Sequence, residues 1–262
     1  MEVGLKMNIY VCIKQVPDTE ATLQVKDGTA IKEDNIKWII GPYDEYALEE
    51  ALKLKEKIAD ATVTVLTLGP ARVESVLRGG LAMGAQNAIH IETSATIDHK
   101  TIAKALAAAI RQDEHHGVIF MGKQAIDDDS YLTHIYLAEY LGIPVATNVV
   151  AFSYENGSVT VEREIDEGAR EQIAMQVPCI VGAAKGLNTP RYASLMGIMK
   201  AKKIPIKKLS LAELGILETN AKIRTEKLFA PPEKPQGKMI TGEPEDAVKE
   251  LVRLLREEAK VL

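Results

Sequence analysis

Between residues 8 and 144, short apolar runs alternate with stretches of helical periodicity. Residues 8–13 (NIYVCI), 61–68 (ATVTVLTL), 87–91 (NAIHI) and 117–121 (GVIFM) have strand length and predict buried strands. Residues 44–58 place Tyr46, Ala47, Ala51, Leu54 and Ile58 at helical spacing, with Asp44 and Glu45 at the positive end of that helix. Further helices are predicted over 71–83, closed by Gly84, over the alanine-rich 98–111, and over 129–141, closed by Gly142. Strands that alternate with helices predict a parallel sheet with helices on both faces and right-handed crossovers.

Past Pro144 the texture changes. Residues 145–152, 159–164 and 169–177 read as strands, with Glu155-Asn156-Gly157 as a hairpin signal. Val159, Val161 and Arg163 alternate with Thr160, Glu162 and Glu164, which suits a half-exposed antiparallel ribbon. Residues 179–183 form another buried strand, and a helix is predicted over about 191–202. Residues 229–243, rich in Pro, Gly and Lys, read as an extended arm. The final helix, over 244–261, gathers Ala247, Val248, Leu251, Val252, Leu254 and Leu255 on one side, a stripe that must pack on its own domain or on a partner. The fold class is three-layer α/β, Rossmann-like and mostly parallel, with an antiparallel hairpin and a C-terminal arm plus helix. Residues 1–228 are expected to form the α/β domain and 229–262 the arm.

Composition narrows the function classes. The chain has 262 residues, 46% of them hydrophobic, which suits one or two domains with a real core. A net charge of −5 argues against a nucleic-acid partner. Cys12 and Cys179 offer neither a disulfide framework nor metal-ligand spacing, and the five histidines add no zinc pattern, so a reducing cytoplasm is expected. Residues 1–6 lack the apolar stretch of about 7–15 residues that marks a signal peptide. The longest apolar runs are strand-length, so no integral membrane segment is expected.

In open α/β sheets ligands bind beyond the carboxyl ends of the strands. The most heavily functionalised end here is Gly122-Lys123-Gln124-Ala125-Ile126-Asp127-Asp128-Asp129-Ser130, which follows a strand and is predicted to open a helix. Helix N-termini present free N–H groups to phosphate, Gly122 permits close backbone approach, and Ser130 offers a hydroxyl. Three aspartates would repel phosphate. They fit helix caps, or acceptors for ribose hydroxyls and backbone N–H groups, and the residues alone leave both readings open. Magnesium would need a further spaced ligand. A second strand end is Gly41-Pro42-Tyr43-Asp44, where Tyr43 either stacks on a base or packs, and a third is Leu68-Gly69-Pro70. Convergence of all three predicts a nucleotide pocket. Cys12 reads as a buried strand residue beside it, without a paired base. A nucleotide-dependent hydrolase or ligase would need a glycine-rich phosphate loop, whereas Ile13 is followed by Lys14-Gln15-Val16-Pro17.

The run 122–130, GKQAIDDDS, resembles the adenylate loop of electron transfer flavoprotein beta subunits. Residues 11–18 (VCIKQVPD), 48–56 (LEEALKLKE), 82–85 (AMGA), 161–166 (VEREID), 190–195 (PRYASL) and 198–203 (IMKAKK) resemble further segments of that family, in its order. The resemblance implies a heterodimer with an alpha subunit that carries FAD, docking on flavin dehydrogenases such as acyl-CoA dehydrogenases, and an arm that wraps the partner. It implies an electron carrier and not an enzyme. It implies nucleotide contacts by Cys12, Gly41, Pro42, Tyr43, Asp44, Leu68, the residues from Gly122 to Ser130, and Thr133. In much of the family the beta subunit holds AMP, while in electron-bifurcating members it holds a second FAD. Asp128 fits the AMP pattern, whereas 16–19 and 138–144 resemble bifurcating members. Tyr131, Leu132 and 134–136 depart from the family's pattern.

Within 185–203 the resemblance implies partner docking by Arg191, Tyr192, Leu195, Met196, Met199, Lys200 and Lys203. Leu195 would be the hydrophobic anchor. Periodicity alone equally allows Leu195 and Met199 to be core residues. Lys200, Lys202, Lys203, Lys207 and Lys208 form a basic cluster suited to steering an acidic partner, or simply a solvated face.

Overall fold

The computed structural model describes residues 7–217, 221–232 and 236–262. The reading of residues 1–6 and the 233–235 stretch of the predicted arm lie outside the described residues. In chain order the elements are β1 (Met7–Cys12), β2 (Gln15–Pro17), β3 (Val25–Lys26), β4 (Ala30–Ile31), β5 (Trp38–Ile40), α1 (Pro42–Lys57), β6 (Ala61–Gly69), α2 (Glu74–Met83), β7 (Asn87–Glu92), α3 (His99–Ile110), β8 (His116–Gly122), α4 (Thr133–Leu141), β9 (Val145–Glu155), β10 (Ser158–Glu164), β11 (Arg170–Gln176), β12 (Cys179–Ala183), α5 (Leu195–Ala201), β13 (Ile206–Ser210) and α6 (Pro244–Glu257).

One sheet has the strand order β11-β10-β9-β12-β8-β1-β6-β7-β13. Only β10 runs against its neighbours; the other pairings are parallel. The β9–β10 turn has Asn156 at φ 49° and Gly157 at φ 84°, the two left-handed residues that a tight hairpin needs. Alternation along β1 divides the core. Ile9 and Val11 pack with α1 and α2 on one face, and Tyr10 and Cys12 pack with α3 and α4 on the other. Two cores on opposite faces of one sheet make the three layers expected. Each fully buried side chain of the Ile9 or Phe120 kind contributes about 1.5–3 kcal/mol. These central strands therefore hold the rim on which the site is built.

Several details differ from the sequence reading. The helix predicted to open at 129 begins at Thr133, because Asp129 (φ 47°) and Tyr131 (φ 55°) take left-handed conformations that no helix continues through. The helix predicted from 191 begins at Leu195, where the Ser194 side chain accepts the Gly197 N–H and sets the start. Strand β13 was not anticipated, since IKKLS buries only Leu209.

The chain forms two compact units. The first comprises, among the described residues, 7–23 and 33–225. The second comprises 24–32 and 226–262. Within the second, the β3–β4 ribbon is joined to the arm by Leu228 N–H donating to the Gly28 carbonyl at 2.6 Å. Helix α6 has no buried residue, and Val248 and Leu251 stand exposed on it. No described helix is long and apolar enough to cross a membrane.

Candidate functional site

The carboxyl ends of β1, β6 and β8 meet at the centre of the sheet, where the order reverses around β1. Asp44, in the first turn of α1, joins two of them. Its Oδ2 accepts the Lys14 N–H and its Oδ1 the Gly122 N–H, each at 2.8 Å. Burial pushes the Asp44 carboxyl up to about 7, against the pull of those two donors. Close approach dictates the glycines here. A Cβ on Gly122 would lie 2.6 Å from Asp44 Oδ1, and one on Gly41 would lie 2.7 Å from Asp44 Oδ2.

Beyond these strand ends lies a pocket lined by Cys12, Asp44, Leu68, Gly122, Lys123, Gln124, Ala125, Asp128, Ser130 and Thr133. All ten were expected from sequence, so three separated turns do converge. Gly41, Pro42 and Tyr43 open α1 beside the pocket and do not line it. Ile126, Asp127 and Asp129 are also outside its lining. Burial pushes the Cys12 thiol well up, so it is a neutral wall.

The aspartates do not cap α4, whose start at Leu132 has no side-chain cap. Asp127 and Asp128 instead receive Lys14 Nζ at 2.7 and 2.8 Å. Burial opposes the charge on Lys14, but the two carboxylates outweigh it and raise its pKa. Asp128 is likewise held below the usual carboxylate range despite its partial burial, chiefly by Lys14. Its Oδ1 also accepts the Ser130 N–H at 3.1 Å, and Asp129 accepts from Gln124 Nε2. Lys123 Nζ donates to Asn148 at 3.0 Å and lies over the Tyr43 and Tyr131 rings.

Sequence reasoning missed Lys14, His99, Ile102, Leu106 and His134, which also line the pocket. His99 opens α3, and its Nδ1 lies 3.2 Å from Thr133 Oγ1 while its Nε2 lies 3.6 Å from Asp128. The one available signal was position: Lys14 and His99 each directly follow a predicted strand end or helix start. Two buried polar atoms of the lining, Gln124 Oε1 and His134 Nε2, have no partner among the described residues. Among the described residues no group of three or more His, Cys, Asp or Glu side chains could hold a metal ion.

The segment expected to dock sits on helices of the same unit. Arg191 holds Glu49 through Nε and Nη2, at 2.8 and 3.0 Å, and Glu56 through Nη1 at 2.8 Å. Its guanidinium thus faces α1. Helix α5 packs on α2. Gly197 allows this, since a Cβ there would collide with the Ala82 carbonyl. Tyr192 is 98% and Leu195 76% exposed, and Met196, Met199, Lys200 and Lys203 are exposed beside them, so Leu195 and Met199 are not core residues.

A family model described as the electron transfer flavoprotein domain matches residues 28–214. Curated relatives agree over nearly the full chain. The electron transfer flavoprotein subunit beta of Bacillus subtilis is 41% identical over 261 residues, 98% of this chain and all of that protein. The mitochondrial subunit beta of Arabidopsis thaliana is 39% identical over 259 residues, with the same coverage. The subunit beta of Sus scrofa is 35% identical over 261 residues, covering 98% of this chain and 99% of that protein.

Proposed function

The chain belongs to the electron transfer flavoprotein family as a beta subunit, and from that premise we propose that it holds AMP in the strand-end pocket and pairs with an FAD-carrying alpha subunit. Electrons pass between flavin dehydrogenases, such as acyl-CoA dehydrogenases, and an acceptor through the partner's flavin, which supplies the redox chemistry. This chain binds, positions and docks, with no chemistry of its own. It works in a compartment that keeps Cys12 and Cys179 reduced, the cytoplasm.

The observation that carries the nucleotide reading is the state of Gln124. Its Nε2 donates to Asp129, and a carboxylate only accepts, so the amide orientation is fixed and the buried Oε1 needs a donor. A ribose hydroxyl or an adenine amino group provides one. Around it, Leu68, Ile102 and Leu106 offer apolar surface to a nucleoside, while Lys123, Ser130 and Thr133 offer donors to a phosphate. Asp128, paired with Lys14 at the pocket wall, suits a monophosphate better than a longer, more highly charged chain. Exposed Tyr192, Leu195, Met196 and Met199 supply the docking surface.

The test is to count nucleotides in the complex purified with its alpha subunit. One AMP and one FAD per heterodimer is expected. Two FAD would replace this reading with the electron-bifurcating one, and no adenine nucleotide in the beta subunit would end it.

A further inference from the structure

His134 follows Thr133, the last residue that the family resemblance assigns to the nucleotide, and it is only 2% exposed. One side of its ring is backed by β12. A Cβ on Gly182 would stand 3.4 Å from His134 Cδ2, an ordinary van der Waals distance, so this glycine lies directly beside the imidazole. His134 also lines the pocket. Its Nε2 is buried and has no hydrogen-bond partner among the described residues. Buried polar atoms are nearly always paired, so Nε2 awaits a ligand or a water. Burial lowers the imidazole to about 4, so at neutral pH it offers a hydrogen bond and not a charge. Gln124 Oε1, the other unpartnered atom of the same lining, accepts only and cannot meet an ionised phosphate. Gln124 Oε1 therefore needs the sugar or base of a nucleotide, and an uncharged His134 in the same lining suits that same portion, which carries donors and acceptors together.

We propose that His134 is a specificity-determining residue of this pocket, with Nε2 hydrogen-bonded to the nucleoside portion of the bound nucleotide and not to its phosphate. This rests on the adenylate reading above.

The test is calorimetric titration of the full chain, freed of nucleotide, with AMP, adenosine and inorganic phosphate. His134→Phe keeps a ring of similar size without nitrogen, and His134→Gln keeps a polar end. The phenylalanine variant should lose roughly tenfold in affinity for both AMP and adenosine, as expected for one lost buried hydrogen bond, and the glutamine variant should recover part of it. Phosphate binding should not respond to residue 134. Phenylalanine variant affinities within twofold of the parent would overturn the assignment, and so would a loss for AMP without one for adenosine. A parent that binds neither AMP nor adenosine would overturn the adenylate reading and this inference with it. Should the phenylalanine variant not fold, the parent still decides the matter: adding adenosine must move the ¹⁵N resonance of His134 Nε2, and an unmoved resonance refutes the contact.

Discussion

Asp44 Oδ1 accepts the backbone N–H of Gly122 at 2.8 Å, across 78 residues of chain. With Lys14 N–H on the other oxygen, one side chain fixes the ends of β1 and β8 relative to each other. The pocket rim is thus set by a buried carboxylate and by the two glycines, Gly41 and Gly122, that leave it room.

Asp44→Asn should destabilise the fold. The amide has one acceptor oxygen for two N–H groups and turns its own donor toward one of them, at a cost of about 1–3 kcal/mol. For a domain of this size that corresponds to a fall in Tm of roughly 2–12 °C by calorimetry. The pH dependence has a definite sign. The folded-state value, about 7, is above that of an unfolded aspartate, so the folded form binds the extra proton between about pH 4 and 7. Asp44's contribution is largest below pH 4 and is lost as pH rises through 7. The stability gap between parent and Asp44→Asn should therefore narrow from pH 5 to pH 8 in urea titrations, and a widening gap would contradict the assignment.

Arg191 meets Glu49, whose side chain is 7% exposed, through two parallel bonds. Arg191→Ala would strip that buried carboxylate of its guanidinium and leave it the backbone N–H of residue 191, which donates to Oε2 at 3.0 Å, costing about 2–3 kcal/mol. A Tm lower by several degrees is expected, with partial recovery in Arg191→Lys, which restores charge but not the fork. Equal melting of the alanine and lysine variants would show that the paired geometry contributes little.

Much of this architecture was readable in advance. The runs NIYVCI, ATVTVLTL and GVIFM are central strands with both faces covered, so their hydrophobicity is continuous and unambiguous. Strands β2, β3, β4 and β5 have two or three residues each, too few for any period to show. The start of α4 was misplaced because DDDS has the composition of a helix cap, whereas Asp127 and Asp128 answer to Lys14, more than a hundred residues away in sequence, and Asp129 to Gln124. Ten pocket residues were legible through the loop and strand ends, but His99 and His134 were not. Each looks like an ordinary helix residue until tertiary packing turns it to the pocket.

Leu195→Ala separates docking from folding. At 76% exposure the side chain contributes little to its own unit, so Tm should change by less than about 2 °C, in line with typical surface substitutions. Electron exchange with a partner dehydrogenase should nevertheless slow by about tenfold or more, the effect of truncating an interface anchor. Stopped-flow rates equal to the parent's would remove Leu195 from the interface.

Asp128→Gly tests what selects one phosphate. Asp128 receives Lys14 Nζ on Oδ2 and the Ser130 N–H on Oδ1, so it carries negative charge on the pocket wall and also shapes the turn. Lys14 keeps Asp127 as a partner when Asp128 is lost, so the cation stays in place while the local charge rises by one. Unit charges 4 Å apart interact by about 1–4 kcal/mol between a water-like and a surface dielectric. Even a more distant phosphate should therefore gain severalfold. The ratio of ADP to AMP affinity should rise by about three- to tenfold in the glycine variant, read by calorimetry, and the rise should shrink at high salt because the effect is electrostatic. A salt-independent rise would assign the selectivity to the volume of the side chain, and an unchanged ratio would mean that Asp128 does not read the length of the phosphate chain at all.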